Sequence, residues 1–405
     1  MDGAGLRLFR WGFGLLAAAS ALRFVAKGWV AELYLDPAFH FAWFDWATVP
    51  TAPVLYGLFA AQVIGGLGTA YFERYRPWLV MWLVCFVYVE LLDKALYLNH
   101  YVLMSVLGIG LLIAPFRRDG YAAAWHVWLL RSQVALVYLW AGLCKINGDW
   151  LLRAEPLKTW LQARSDLPLV GPLLASDVTA FGMSWGGCVY DLSIALLLVW
   201  PRTRRLGIVL VVVFHATLGL LFPIGIFPWL MALAVTLFFR PSWPREWLGG
   251  RVLPKSKPAF WAHWKVAAWC VVIAIMTVFP ARFLLYDADV NWGEQGYRFS
   301  WRVLLTEKTG FVEYVVVHAD GRTERVVPRR DLTAVQFAQL VGKPELIAQY
   351  GQHLGEQYPG AQVFADSYVS LNRSPSQRFI SDDVDLCQPA SQLPDGWILP
   401  RRPSP

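Results

Sequence analysis

Long apolar runs broken by short charged links fill the first 283 positions of the chain, and that alternation stops abruptly after Pro280. Runs approaching the length needed to cross a bilayer fall near 9–27, 51–72, 78–98, 101–116, 126–146, 179–200, 206–222, 224–239 and 263–283. Two are short, and the pair around Phe222-Pro-Ile-Gly225 reads equally well as a tight re-entrant turn. From Tyr286 onward charged residues are frequent and apolar stretches brief. The pattern there predicts strands over 298–305, 311–318 and 323–327, with turns around Lys308-Thr-Gly310 and at Asp320-Gly321. Thr333 with Gln336 has the form of a capping box opening a helix, and Pro344 begins a second helix towards Leu354. Further strands are expected over 363–371 and 376–380. The expected fold is mainly α: a polytopic transmembrane helical bundle of about nine spans over 1–283, a small α+β domain over 284–400, and a disordered tail over 401–405.

Charge adds orientation to this picture. Arginine-bearing links at 6–10, 73–77, 117–120, 201–205 and 240–257 alternate with links that are acidic or lack arginine clusters, such as 32–48 and 98–101. Arginine links belong on the cytoplasmic side, which predicts a cytoplasmic N-terminus and an extracytoplasmic C-terminal domain. Composition agrees, since 57% of the 405 residues are hydrophobic and only 16% charged, against about a quarter in soluble domains. A net charge of +7 would suit nucleic acid, but the arginines lie in links between spans, so no nucleic-acid partner is expected. Positions 13–21 resemble a signal-peptide core, yet Arg23, Lys27 and further apolar segments follow, so the first run is read as an uncleaved span. The five cysteines show neither metal-ligand spacing nor a disulfide framework, and no metal site is expected. Walker, Rossmann and zinc-protease patterns are absent, and no second half mirrors the break at Phe222, as an inverted-repeat transporter would require.

Ionisable residues inside the apolar runs carry the candidate chemistry. Lys145 stands where one run ends, in Ala141-Gly-Leu-Cys-Lys145-Ile-Asn-Gly-Asp-Trp150. Hydrocarbon penalises the charged form of an amine, so proton loss is favourable there and Lys145 is a candidate base; the alternative is a lysine that snorkels to the interface. Asp93 and Lys94 read as mutually neutralising, or as paired with a neighbouring helix. Asn99-His100 occupy a very short outward connection, and His215 lies near the middle of its run, where a carbonyl bond is the structural explanation. Asp191 reads as an N-terminal charge favoured by a helix dipole. The topology brings Lys145 and Asn99-His100 to the side that bears the soluble domain, with His215 within reach. A base, a histidine and an amide converging under a soluble cap form an active-site arrangement. Haem ligation by His100 and His215 is the weaker reading, because neither has a further paired partner.

The motif 141–150, preceded by Gln133 and Tyr138, resembles the vitamin K-dependent gamma-glutamyl carboxylases, which belong to the horizontally transferred transmembrane domain proteins. The resemblance continues through Asn99-His100, Asp191-Leu-Ser193, Phe214-His215 and Leu221-Phe-Pro-Ile-Gly-Ile-Phe227. It extends to Asn291-Trp-Gly-Glu-Gln-Gly-Tyr-Arg-Phe-Ser-Trp-Arg302, to Ser370-Leu-Asn-Arg373, and to Gln377 with Asp383–Asp385. It implies an enzyme in which Lys145 deprotonates reduced vitamin K, the hydroquinone, so that reaction with O2 yields a base strong enough to take a proton from a glutamate γ-carbon. The carbanion then adds CO2. On the same resemblance His100 is catalytic, Asn99 and His100 orient the quinol, His215 lines its pocket, and Trp292 and Trp301 close the site against the membrane. The implied partner is an exported glutamate-containing polypeptide, and the implied location is a bacterial inner membrane. Departures from the family pattern are Cys144 in place of a first lysine, the loss of a histidine near Thr306, and a shorter outward region. They leave open a quinol epoxidase without carboxylation, and a non-catalytic membrane scaffold that docks an exported protein.

Overall fold

The computed structural model describes residues 1–113, 120–254 and 263–402. The apolar runs fold as helices α1 (Ala4–Ala26), α2 (Ala52–Tyr71), α3 (Arg76–Leu91), α4 (Asn99–Ile113), α5 (Ala124–Cys144), α6 (Asp177–Val199), α7 (Arg204–Leu221), α8 (Phe227–Val235) and α9 (His263–Val278). Backbone groups in hydrocarbon must be satisfied within the segment, and only the helix does this for a single run. Prolines open α2 and α3, at first-turn positions where the missing N–H costs nothing. Small residues bring α1 and α2 together: a Cβ added to Gly14 would lie 2.4 Å from the Gly66 carbonyl oxygen, so only glycine permits this approach.

Six helical stretches among the described residues are long and apolar enough to cross a membrane: α1, α2, α5, α6, α7, and 267–285, where α9 continues as a tighter 3₁₀ stretch. The other three of the nine expected spans are shorter, and α3, at 16 residues, ends at Leu91 because Asp93 leaves the helix to accept the Ala95 N–H. α4 runs 15 residues, and the rest of its apolar run lies in 114–119, outside the described residues, as does most of the arginine link at 117–120. α7 and α8 are separated by Pro223 and by Gly225, whose φ of +62° belongs to the left-handed region, so the chain reverses here. The arrangement is the tight turn that the sequence allowed.

The C-terminal domain is a four-stranded antiparallel sheet in the order β2-β1-β3-β4, built from β1 (Lys308–Val317), β2 (Thr323–Val326), β3 (Gln362–Leu371) and β4 (Gln377–Arg378). Helices α10 (Ala334–Val341) and α11 (Pro344–Gln357) cover it. The capping box forms as expected between Thr333 and Gln336. Alternation along β3 buries every second residue against Tyr314, Tyr350, Phe379 and Leu346. Two expectations fail. Lys308–Gly310 is the start of β1 rather than a turn, and 298–305 is not a strand. That segment is a loop with left-handed backbone at Phe299, Trp301 and Leu304, conformations incompatible with a ladder. The 376–380 strand shrinks to β4 and an isolated bridge at Ile380. The tail is also tied down at its start, because Arg401 pairs with Asp149 at 3.1 Å and with Asp289 at 3.3 Å, while 403–405 lie outside the described residues.

The sheet domain docks on the bundle through polar groups. Asp93 and Lys94 do not neutralise one another: Asp93 accepts from Gln336 at 2.7 Å, and Lys94 pairs with Glu345 at 2.7 Å. Gln336 is fully buried and also donates to the Phe39 carbonyl at 2.9 Å. A Gln336→Ala exchange strips a buried carboxylate of this partner and is expected to lower stability by about 1–3 kcal/mol. Thermal unfolding should show the loss first in probes of the C-terminal domain.

Candidate active site

Lys145 caps the C-terminal end of α5, its backbone N–H bonding back to Gly142. Asn147 then turns the chain and accepts the Trp150 N–H, starting the short helix Gly148–Arg153. The Lys145 side chain is not at an interface but buried, and its Nζ lies 2.7 Å from Asp191 Oδ2 and 3.3 Å from the Ala141 carbonyl. The Trp150 ring stands 5.3 Å from the amine. Asp191 is no helix-start charge, since it sits well inside α6 and is itself buried. It reaches Lys145 because α5 and α6 touch at Gly142, where a Cβ would come within 2.9 Å of the Leu192 nitrogen. The solitary amine expected from the sequence is thus half of a pair. Together the two groups carry no net charge, which is what allows both to leave water.

The pair lines an apolar cavity of about 70 Å³ together with Tyr138, His215, Phe214 and Leu218. Tyr138 is hydrogen-bonded to His215 Nε2 at 3.0 Å, which fixes the imidazole ring. His215 Nδ1 is buried and has no hydrogen-bond partner among the described residues. The carbonyl bond expected for His215 is therefore replaced by a phenol, with one ring nitrogen left over. A second cavity of about 600 Å³ adjoins the first and is lined by Arg23, Asn99, His100 and Arg302. Phe227, Val303 and Leu304 line both cavities. The Phe227 ring lies 5.4 Å from His215 and 5.9 Å from His100, so the two imidazoles flank one aromatic wall.

The expected convergence is thus divided. Lys145 and His215 share the small cavity, and Asn99 and His100 line the large one. Both Asn99 side-chain atoms bond protein, Nδ2 donating to the Arg302 carbonyl at 3.1 Å and Oδ1 accepting from Tyr97 at 2.9 Å. Asn99 anchors the 295–306 loop. Trp301, on that loop, packs into the core of the helical bundle, and Trp292 is enclosed in the sheet-domain core, where it donates to the Leu399 carbonyl. Neither tryptophan lines either cavity. Sequence reasoning misjudged Asp191, although a carboxylate inside an apolar run signals function by default. It gave no role to Arg23 or Lys343. Lys343 lines both the large cavity and an outer pocket of about 370 Å³ that also holds Arg282, Arg298, Glu294 and Glu345. Burial holds the Lys343 amine down at about 8, with Glu294 opposing and Arg298 adding to the effect. Lys343 thus stands between the large cavity and an outer pocket that carries cations and carboxylates together.

Residues 1–243 match the family model of the HTTM domain, and residues 261–403 match that of the vitamin K-dependent gamma-carboxylase lumenal domain. No solved structure matches the chain.

Breaking the buried pair exposes its energetic logic. Asp191→Asn leaves an ammonium uncompensated in an apolar site and is expected to cost about 3–5 kcal/mol, whereas Lys145→Met combined with Asp191→Leu should recover most of that loss. Thermal midpoints of the single and double variants in one detergent provide the comparison.

Proposed function

The chain belongs to the gamma-glutamyl carboxylase family, and from that membership we propose that it is a membrane-embedded enzyme coupling oxygenation of reduced vitamin K to carboxylation of peptidyl glutamate. The observation that carries the proposal is the buried Lys145–Asp191 pair, which opens on an apolar cavity beside an imidazole nitrogen that has no partner among the described residues. The residues suit a hydroquinone in kind: the walls beside the pair are apolar and the pair offers polar contacts to a hydroxyl, while the bulk of the ring system needs the adjoining cavity of about 600 Å³. When bound, reduced vitamin K supplies a hydroxyl proton and, with O2, the strong base that side chains cannot provide.

With the pair's proton on Asp191 the Lys145 amine is neutral and takes the hydroxyl proton, becoming an ammonium beside the protonated carboxyl. Proton transfer to a positioned base contributes about 10²–10⁴-fold in rate. Tyr138 keeps the His215 ring oriented, and Phe227, Val303 and Leu304 exclude water from the reacting groups. His100 faces the larger cavity across the Phe227 wall, on the side from which the polypeptide arrives. Overall, one C–H bond at the glutamate γ-carbon breaks and one C–C bond to CO2 forms. The balance would be closed by O2 and reduced vitamin K, yielding the epoxide and one water. In this reading the protein lies in a bacterial inner membrane with its sheet domain extracytoplasmic, and the substrate is an exported polypeptide.

Lys145→Ala is expected to lower both epoxide formation and incorporation of labelled CO2 into a glutamyl peptide by at least about a hundredfold, with partial rescue by a small added amine. Undiminished rates in both assays would remove Lys145 from the mechanism. Epoxide without labelled peptide in the unaltered protein would reduce the activity to quinol epoxidation.

A further inference from the structure

Arg23 sits in the last turn of α1, and its guanidinium lies 4.7 Å from the centre of the Trp29 ring. It does not face lipid alone, because it lines the cavity of about 600 Å³ with His100. Between them is Gly225, at the chain reversal joining α7 and α8. A Cβ built on Gly225 would stand 3.2 Å from Arg23 Nη1 and 3.9 Å from His100 Nε2, so the bare glycine lets both nitrogens approach the same turn of backbone at the cavity wall. Among the described residues no carboxylate lies within ion-pair distance of Arg23, which packs on the Trp29 ring, whereas of the other cations lining the two cavities Lys145 pairs with Asp191, Arg302 donates to Asn291 Oδ1 and Lys343 is buried near Glu294. Glu32, the single carboxylate among the cavity's lining residues, makes no ion pair with it.

A guanidinium stays charged in proteins and presents a planar fork matched to a carboxylate. We propose that Arg23, with His100 across Gly225, forms the subsite that holds the γ-carboxylate of the peptidyl glutamate. The proposal rests on the carboxylase reading and names where the polypeptide's reacting side chain is fixed. Removing a proton from the carbon beside a carboxylate spreads a second negative charge onto that group. A fixed cation therefore contributes more as the proton leaves than it does in the ground state. The subsite adjoins the Lys145 cavity through the shared Phe227 wall, and Lys343 lines the same large cavity on the sheet-domain side.

The test titrates the full chain in lipid nanodiscs with a short glutamyl peptide and its glutamine counterpart. The unaltered protein is expected to favour the glutamyl peptide at least about tenfold, the scale of one charge-assisted contact. Arg23→Gln is expected to erase that preference and to raise the peptide KM with the quinol KM unchanged. An unaltered preference in Arg23→Gln, or none in the parent protein, overturns the subsite. Should Arg23→Gln fail to fold, Arg23→Lys serves instead: loss of the fork should weaken the glutamyl peptide several-fold and leave the glutamine peptide unaffected, and unchanged glutamyl affinity overturns the proposal. A protein that discriminates the peptides through Arg23 yet incorporates no CO2 would keep the subsite and lose the carboxylase reading. Carboxylation with a normal peptide KM in Arg23→Gln would do the reverse.

Discussion

A charge that enters hydrocarbon must meet its opposite inside the same fold, and the Lys145–Asp191 contact is where this constraint shapes the protein most. Neither group could be buried alone without a penalty of several kcal/mol, on the order of what unfolds a domain. Paired, they need two helices to approach until the side chains touch, and Gly142 permits that approach. The chemical consequence follows from the structural one. In the proposed reaction that dryness keeps solvent from competing for the proton that the pair takes from the ligand hydroxyl.

The same constraint governs how the sheet domain meets the bundle. Its polar groups cannot rest on a greasy surface unsatisfied, so Asp93, Lys94 and the Phe39 carbonyl are matched one by one by Gln336 and Glu345. The 295–306 loop goes further and enters the bundle, with Trp301 in its core and Leu305 packed beside Trp150 and Phe222. Val303 and Leu304 of this loop complete both cavities. The site is therefore a joint product of two domains: the helices supply the ionisable groups, and the loop from the other domain supplies the walls that keep water out.

Periodicity served the chain well where one element answers to one environment. β1 and β3 alternate because one face is covered by α10 and α11, and the Thr333–Gln336 capping box is a contact between near neighbours, so both could be read from the residues. The loop at 298–305 defeated the same reasoning. Its aromatic and branched residues are those of a strand, yet they are buried by insertion between domains, and insertion leaves no period in a sequence. Trp292 and Trp301 were expected to close the site where the domains meet and instead fill two separate cores.

The residues themselves determined that this chain forms apolar helices followed by a small sheet domain, because hydrophobicity and spacing act over a few neighbouring positions. They also marked Lys145 and His215 as out of place in hydrocarbon, and His100 as a polar residue in a short outward link. Only the tertiary structure decided what each of them meets. Asp191 lies 46 positions from Lys145, and Arg23 is some two hundred positions from Gly225. Contacts of that range depend on which helices pack together and at what distance. That is settled by close-approach glycines and by a loop arriving from another domain, neither of which local pattern can express.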